Sequence, residues 1–281
     1  MSTLYVTDLD GTLMRSDKTL SDNTVSIING LISEGVLFTY ATARSIQSSM
    51  EVTAGLKLRL PVISRNGTVL ADNSTGKMTK KALFTEEEIK LLKETLPELK
   101  WCGFVSSYFG DNGNDMYKIY MSGDISVGLV KYVEDHATDP RMRCVDDLDD
   151  MFDGEPGYVT LIDDREKLIG TYERMRKYKN WECVFQKDAY DEEYWLEICP
   201  ENSTKAKAIL RLKESVGADK LVVFGDSVND LPMFEIADEA YATANAIQEV
   251  KDAATGVIGS NDEDSVARFV NEQVKRSNNV I

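Results

Sequence analysis

Apolar, β-rich runs that break off into small polar clusters set the tightest limit on how this chain can fold. The first is Leu4-Tyr5-Val6-Thr7, which runs into Asp8-Leu9-Asp10-Gly11-Thr12-Leu13. Residues i and i+2 of a strand point to the same side. Asp8 and Asp10 can therefore converge just beyond the strand end, and Gly11 lets the chain turn away. Ser21 to Glu34 carries helical apolar spacing in Val25, Ile28, Leu31 and Ile32, with Ser21 as N-cap and Gly35 as stop. Val36-Leu37-Phe38-Thr39-Tyr40-Ala41 is the continuous run of a strand buried on both faces. It ends in Thr42-Ala43-Arg44-Ser45. Strand, helix, strand predicts a βαβ unit in a parallel sheet whose strand C-termini share one edge. Ligand sites of open α/β sheets gather on that edge, and Thr42 shares it with Asp8.

Further along, Leu60 to Ser64 reads as a third short strand. Asn66-Gly67 is a turn signal, from which Thr68-Val69-Leu70 returns as a hairpin. From about Lys80 the pattern changes. Thr85-Glu86-Glu87-Glu88 forms a capping box for a helix through Leu96, closed by Pro97. Strand-like runs at Trp101–Tyr108, Tyr117–Met121, Arg141–Val145, Gly157–Ile162, Trp181–Gln186 and Tyr194–Cys199 alternate with helical patterns at Asp124–His136 and Asp164–Tyr178. This is the signature of an α+β domain with a largely antiparallel sheet. After Pro200 the α/β pattern resumes. A helix capped by Ser203 or Thr204 has a stripe that includes Ile209, Leu210 and Leu212. Leu221-Val222-Val223-Phe224 then ends in Gly225-Asp226-Ser227-Val228-Asn229-Asp230. Leu231–Ala237 and Ala246–Ala253 read as helices, Tyr241–Thr243 and Gly256–Ile258 as short strands, and Glu263 to about Val274 as a last helix. The expected architecture is an α/β, Rossmann-like, doubly wound core of residues 1–80 and 200–281. An α+β insert of residues 81–199 interrupts it.

Composition narrows the chemistry. The chain holds one histidine, His136, which excludes mechanisms that need a histidine pair or a serine triad beside a separate metal histidine. Acid/base work falls to carboxylates or lysine, and any bound metal is expected to be a hard, oxygen-liganded cation such as Mg²⁺. Cys102, Cys144, Cys183 and Cys199 have no ligand-like spacing and read as reduced, mostly buried thiols. A formal charge of −16 disfavours nucleic acid and anionic membranes as partners. No apolar run is long enough to span a bilayer, and no secretory signal is visible at the N-terminus. The expected location is the cytoplasm; the oligomeric state is open. Residues 81 to 198 hold 15 Lys/Arg against 27 Asp/Glu, a net of −12. Within them, Asp146-Asp147-Leu148-Asp149-Asp150 lacks calcium-loop spacing and reads as a solvated turn or helix start. Tyr190, Tyr194 and Trp195 read as core of the insert.

Four pieces fall on one edge of one sheet: Asp8 with Asp10, Thr42, Lys205 near a helix start, and Asp226 with Asn229 and Asp230. Each alone suits an ordinary strand-end turn. Together they suit Mg²⁺ and a phosphate, because phosphoryl transfer needs charge neutralisation and positioning above all. Asp8 and Asp226 can hold the metal, and Lys205 and the Thr42 hydroxyl can hold phosphate oxygens. An ionised aspartate can attack phosphorus, and a second carboxylate can move the proton.

Asp8-Leu9-Asp10-Gly11-Thr12, Thr42-Ala43-Arg44, Lys205 and Gly225-Asp226-Ser227-Val228-Asn229-Asp230 resemble the four motifs of the haloacid dehalogenase superfamily, and most closely its Cof-like phosphatases, over essentially the whole chain. The resemblance implies a phosphatase acting on a small-molecule phosphate ester. Asp8 would be the nucleophile that becomes an aspartyl-phosphate. Asp10 would be the general acid/base, with its backbone carbonyl on Mg²⁺. Thr42 and Lys205 would bind phosphate, and Asp226 would ligate the metal. Asn229 and Asp230 would support metal and phosphate, directly or from a step behind, and Arg44 and Asn66 would face the substrate. Ala43 and Ser227 stand where family members often have glycine; both are small. The insert would be a lid that excludes water and chooses the leaving group. Its acidity would favour a monophosphate with a neutral remainder, such as a hexose or pentose phosphate. A sugar phosphomutase and a catalytically idle binding or regulatory protein are the alternatives. A dehalogenase would leave a metal set unexplained.

Overall fold

The structure is a computed structural model that describes residues 2–98, 102–109, 115–120, 125–188 and 191–278. The chain opens with strand β1 (Thr3–Thr7), helix α1 (Asp22–Ser33), strand β2 (Leu37–Tyr40) and helix α2 (Ile46–Val52). Strands β3 (Val62–Ser64), β4 (Val69–Ala71) and β5 (Met78–Lys81) follow. The middle of the chain holds α3 (Glu86–Thr95), β6 (Gly103–Tyr108), β7 (Asp115–Tyr120), α4 (Val127–Asp135) and β8 (Met142–Val145). It continues through β9 (Glu155–Asp163), α5 (Arg165–Met175), β10 (Trp181–Lys187) and β11 (Tyr194–Pro200). The last part is α6 (Lys205–Val216), β12 (Lys220–Gly225), α7 (Leu231–Glu235), β13 (Glu239–Ala242), α8 (Gln248–Ala253), β14 (Gly256–Val257) and α9 (Ser265–Asn278). Two compact units result, Met1–Thr79 with Lys205–Ile281, and Lys80–Thr204.

The first unit is built on a five-stranded sheet of order β14-β13-β12-β1-β2, parallel throughout. A parallel bridge from Ala41 to Ile63 carries β2 on toward β3, which pairs antiparallel with β4. This is the Rossmann-like α/β core. Alternation along the strands divides their side chains between two layers. Leu4, Val6, Leu221 and Val223 pack with Ala208, Ile209 and Leu212 of α6 and with Met233, Phe234 and Val250. On the other face Phe224, Tyr241 and Phe269 of α9 form an aromatic cluster. Each fully buried aliphatic side chain contributes about 1.5–3 kcal/mol, so both faces anchor the strand ends firmly. The strand order reverses between β1 and β12, with β2 added on one side and β13 and β14 on the other, and the C-terminal ends of β1 and β12 lie side by side.

Local sequence accounts for most element ends. Ser21 Oγ accepts from Thr24 N at 3.0 Å to start α1, and Gly35, at φ 92°, releases the chain after it. The Thr85–Glu88 capping box is complete. One helix face differs from expectation. Leu210 is 44% exposed, while Ala206, Ala208, Ile209 and Leu212 are buried. At 100° per residue, a face centred on Ile209 and Leu212 turns position 210 to solvent. The last helix also starts later than expected. Ser260 caps a single turn, Asp264 takes a left-handed φ of 58°, and α9 begins only at Ser265.

The second unit is an α+β domain on a six-stranded sheet, β10-β11-β9-β6-β7-β8, antiparallel except between β7 and β8. Val105, Val159, Leu161, Leu196 and Ile198 form one face with Leu92, Leu168 and Met175. Phe104, Ile119 and Ile162 form the other with Leu129 of α4. Tyr194 packs against the first face and Trp195 against the second, both only partly buried; Trp101, Met121, Asp124 and Tyr190 lie outside the described residues. Asp146, Asp147, Asp149 and Asp150 are exposed. Cys102 and Cys199 are buried and Cys144 is exposed, all as free thiols. Among the described residues, no helix is long and apolar enough to cross a membrane.

Candidate active site

The ends of β1 and β12 meet the start of α6 in a buried ionic cluster. Asp8 follows β1 directly, and its backbone N–H still donates to Phe224 O at 2.9 Å. Lys205, the first residue of α6, reaches Asp8 Oδ1 at 2.6 Å and Asp230 Oδ1 at 2.8 Å. Side-chain exposure is 1% for Lys205, 6% for Asp8 and 0% for Asp230. One oxygen each of Asp8, Asp226 and Asp230 lies within 4.8 Å of the others. Three carboxylates against one ammonium leave two negative charges uncompensated when all are ionised.

The loop geometry explains the convergence. After Asp10 the chain turns at Gly11, φ 72°, and a Cβ there would fall 2.4 Å from Asp226 Oδ2. Only glycine lets the first loop come this close to the second. Thr12 Oγ1 then donates to Asp226 Oδ1 at 2.7 Å. On the other side, Asp230 Oδ2 accepts from the backbone N–H groups of Asp226 at 2.9 Å and Ser227 at 3.1 Å. A Cβ on Gly225 would fall 2.6 Å from Asp230 Cβ. Asp230 therefore spends both oxygens on protein donors, whereas among the described residues the donor to the Asp226 carboxylate, Thr12, takes Oδ1.

Electrostatics follow from this crowding. Burial raises the pKa of Asp8 well above the ordinary aspartate range, against the pull of Lys205 and with the help of Asp230 and Asp226. Burial, followed by the Asp230 charge, pushes Asp226 up to about 7. Burial opposes the Lys205 charge, but Asp230 and Asp8 outweigh it and hold its pKa above the ordinary lysine value. A divalent cation among the three carboxylates would reverse the first two shifts. The donor set, all oxygen and short of positive charge, fits a hard cation.

Asp10 lies outside the trio. Its carboxylate takes a bidentate pair from Arg44, Nε to Oδ2 at 2.7 Å and Nη2 to Oδ1 at 2.6 Å. Arg44 Nη1 also donates to Ser48 Oγ at 3.1 Å. Thr42, fully buried, accepts on Oγ1 from Arg44 N at 3.2 Å. The loop after β3 is tied to it, with Arg65 N donating to Arg44 O and Asn66 N to Thr42 O, both at 3.0 Å. Asn66 Oδ1 accepts from Asn229 Nδ2 at 3.3 Å, and Asn229 Oδ1 accepts from Ser227 Oγ at 2.7 Å. Asp8, Lys205, Asp226 and Asp230 are thus in one cluster, while Arg44 holds Asp10 and Asn66 holds Asn229. Gly11 and Thr12 join the site through Asp226. Their adjacency to Asp10 was the available signal, but it does not say what they touch.

The arrangement offers a buried carboxylate on a lysine, a site for a hard cation and a separate, clamped carboxylate. Comparison with known proteins gives the same direction. Residues 5–270 match a family model described as haloacid dehalogenase-like hydrolase. Two relatives from Bacillus subtilis (strain 168) are the 5-amino-6-(5-phospho-D-ribitylamino)uracil phosphatases YitU and YwtE. YitU is 26% identical, over 96% of each chain. YwtE is 27% identical, over 94% of this chain and 96% of that one. A crystal structure from Thermotoga maritima superposes with a TM-score of 0.74 at 26% identity, covering 97% of each chain.

Proposed function

The chain belongs to the haloacid dehalogenase-like hydrolases, and from that membership we propose that it is a Mg²⁺-dependent phosphomonoesterase working through an aspartyl-phosphate. The observation that carries this reading is the buried Asp8–Lys205 contact of 2.6 Å beside Asp226 and Asp230 at parallel strand ends. Asp8 attacks phosphorus, and its new O–P bond forms as the bond to the alcohol oxygen breaks. Asp10 gives its proton to the departing oxygen. It then takes a proton from water as the water oxygen attacks phosphorus and frees Asp8. Arg44 orients the Asp10 carboxylate for both transfers. Lys205 and the Thr42 hydroxyl hold the non-bridging phosphate oxygens, with Asn229 beside them. Asp8, Asp226 and the Asp10 backbone carbonyl would hold Mg²⁺, with Asp230 one step behind. The ion would supply charge neutralisation for the transferring phosphoryl group.

The substrate we propose is a small monophosphate with a neutral, hydroxylated remainder, with sugar phosphates foremost. Two observations support it. The net of −12 over residues 81 to 198 disfavours polyanionic substrates. The Bacillus subtilis relatives are named for a substrate with one phosphate on a ribityl chain. In this reading the unit Lys80–Thr204 is the cap that selects the alcohol. The protein works in the cytoplasm, on a metabolite rather than on nucleic acid or membrane.

A panel of phosphate esters assayed with Mg²⁺ and ranked by kcat/KM tests the proposal. Hexose, pentose or pentitol monophosphates are expected at the top. Nucleotides or bisphosphates at the top would overturn the substrate class. A wild-type rate on p-nitrophenyl phosphate no higher than that of Asp8→Asn would overturn the enzymatic reading itself.

A further inference from the structure

The backbone is strained at one place beside the site. Arg65 and Asn66, neither of them glycine, take successive left-handed conformations at φ 48° and 49°. Both are buried, at 5% and 3% exposure. Such residues are uncommon and persist where the surroundings over-determine them. Here the backbone N–H groups of Arg65 and Asn66 are pinned to Arg44 O and Thr42 O, and Gly67 continues the turn at φ 102°.

The conformation aims the Asn66 amide at Asn229. The orientation of that amide follows from a chain of donors. Ser227 Oγ–H has Asn229 Oδ1 as acceptor, which turns Asn229 Nδ2 toward Asn66, so Asn66 must present its oxygen. Asn66 sits in the loop tied to Thr42, and Asn229 sits between Asp226 and Asp230. The Asn66–Asn229 bond thus joins the phosphate-holding loop after β2 to the metal-holding loop after β12. The two bonded residues are 163 positions apart in sequence, and β1 separates the loops in the sheet.

We propose that Asn66 is a positioning residue. Through its carboxamide oxygen it fixes the Asn229 amide, and with it the Asp226–Asp230 loop, relative to Thr42, and it does not itself hold the phosphate. This rests on the phosphatase reading given above. The acceptor oxygen is what matters, so Asn66→Asp keeps the bond while Asn66→Ala or Asn66→Gly removes it. Glycine also relieves the left-handed strain, which separates position from stability.

The experiment is steady-state hydrolysis of p-nitrophenyl phosphate with Mg²⁺ by wild type, Asn66→Asp, Asn66→Ala and Asn66→Gly, alongside thermal unfolding. Loss of alignment is expected to lower kcat about tenfold in both Asn66→Ala and Asn66→Gly, with KM within about twofold. Asn66→Gly is expected to melt higher than Asn66→Ala, so activity does not follow stability. Asn66→Asp keeps the acceptor but adds a buried negative charge beside the Asp226–Asp230 loop, so this variant is read by the Asn229 amide signal and not by its rate. In ¹⁵N spectra, the Asn229 side-chain amide is expected to keep its wild-type shift in Asn66→Asp and to move in Asn66→Ala, a readout that does not need turnover. A large KM increase in Asn66→Ala and Asn66→Gly with kcat unchanged would mean that Asn66 holds the phosphate, and would overturn the proposal. So would activities that simply rank with melting temperature. A wild type without phosphatase activity would sink the underlying reading instead, while the amide shifts would still report on the Asn66–Asn229 bond.

Discussion

Two buried carboxylate sites lie in the same α/β unit, and they are wired in opposite ways. Asp264 accepts from Ser21 Oγ at 2.6 Å, Asn23 Nδ2 at 2.9 Å, Arg15 Nη2 at 3.1 Å and Thr24 Oγ1 at 3.2 Å. Burial opposes its charge, but the bonds from Ser21, Asn23 and Arg15 outweigh that and bring its pKa down to about 2. The Asp8–Asp226–Asp230 cluster has three carboxylates and one lysine, and burial with mutual repulsion pushes Asp226 up to about 7. One site is satisfied by its own chain and ties the N-terminal loop to the start of α9. The other is left short of positive charge, which is the condition under which a cation or a phosphate-bound cation is drawn in. Burial alone does not separate a structural carboxylate from a chemical one; the donor inventory around it does.

The comparison breaks most sharply at Asp8. Asp8→Asn is expected to lower kcat/KM for p-nitrophenyl phosphate by at least about 10³-fold and to abolish phosphoenzyme, with a cooperative unfolding transition retained. Phosphoenzyme in acid-quenched Asp8→Asn would remove the nucleophile assignment. The next effect concerns the cation. At pH 7.5, Mg²⁺ at a hundredfold excess over its Kd should stabilise wild type by about 2.7 kcal/mol, read as a rise in Tm. Asp226→Asn should lose that rise and Asp264→Ala should keep it. A rise that survives in Asp226→Asn would place the cation elsewhere.

Asp264→Ala should cost about 2 kcal/mol in urea unfolding, because four donors lose their acceptor together. Its kcat should match wild type at temperatures where it is folded. The smallest effect is the opposed pH response. Asp226 binds its proton more tightly folded than unfolded, so its contribution is full at low pH and fades as pH rises through about 7. Asp264 binds its proton less tightly folded, so its contribution is present above the unfolded value and lost as pH falls toward 2. In EDTA, the wild-type Tm should therefore decline between about pH 5 and 7.5 by more than that of Asp226→Asn. Equal declines would show that Asp226 carries no excess proton.

Much of this was legible in the sequence, for identifiable reasons. Strand ends announce themselves, because an apolar run buried on both faces must stop where polar residues begin. That placed Asp8, Thr42 and Asp226 on one edge and identified the middle segment as an α+β insert. The capping box at Thr85 and the stop at Gly35 are local, and they appear as expected. Leu210 and Asp264 were not legible. The first depends on which face of α6 meets the sheet. The second lies within an apparent helix, and its left-handed φ is held by partners some 240 residues away.

The sequence by itself determined which residue types stand at the strand ends, and so the chemistry open to them. Only the tertiary structure decided who meets whom. Asp8 and Asp226 are 218 positions apart, and they become neighbours because β1 pairs with β12 in the sheet. Arg44 clasps Asp10 because the loops after the neighbouring strands β1 and β2 share an edge, and Asn66 clasps Asn229 because the loop after β3 is tied back to Thr42 on that same edge. Strand ends are set by local polarity, whereas pairing between charges is set by sheet order, which no short window of sequence contains.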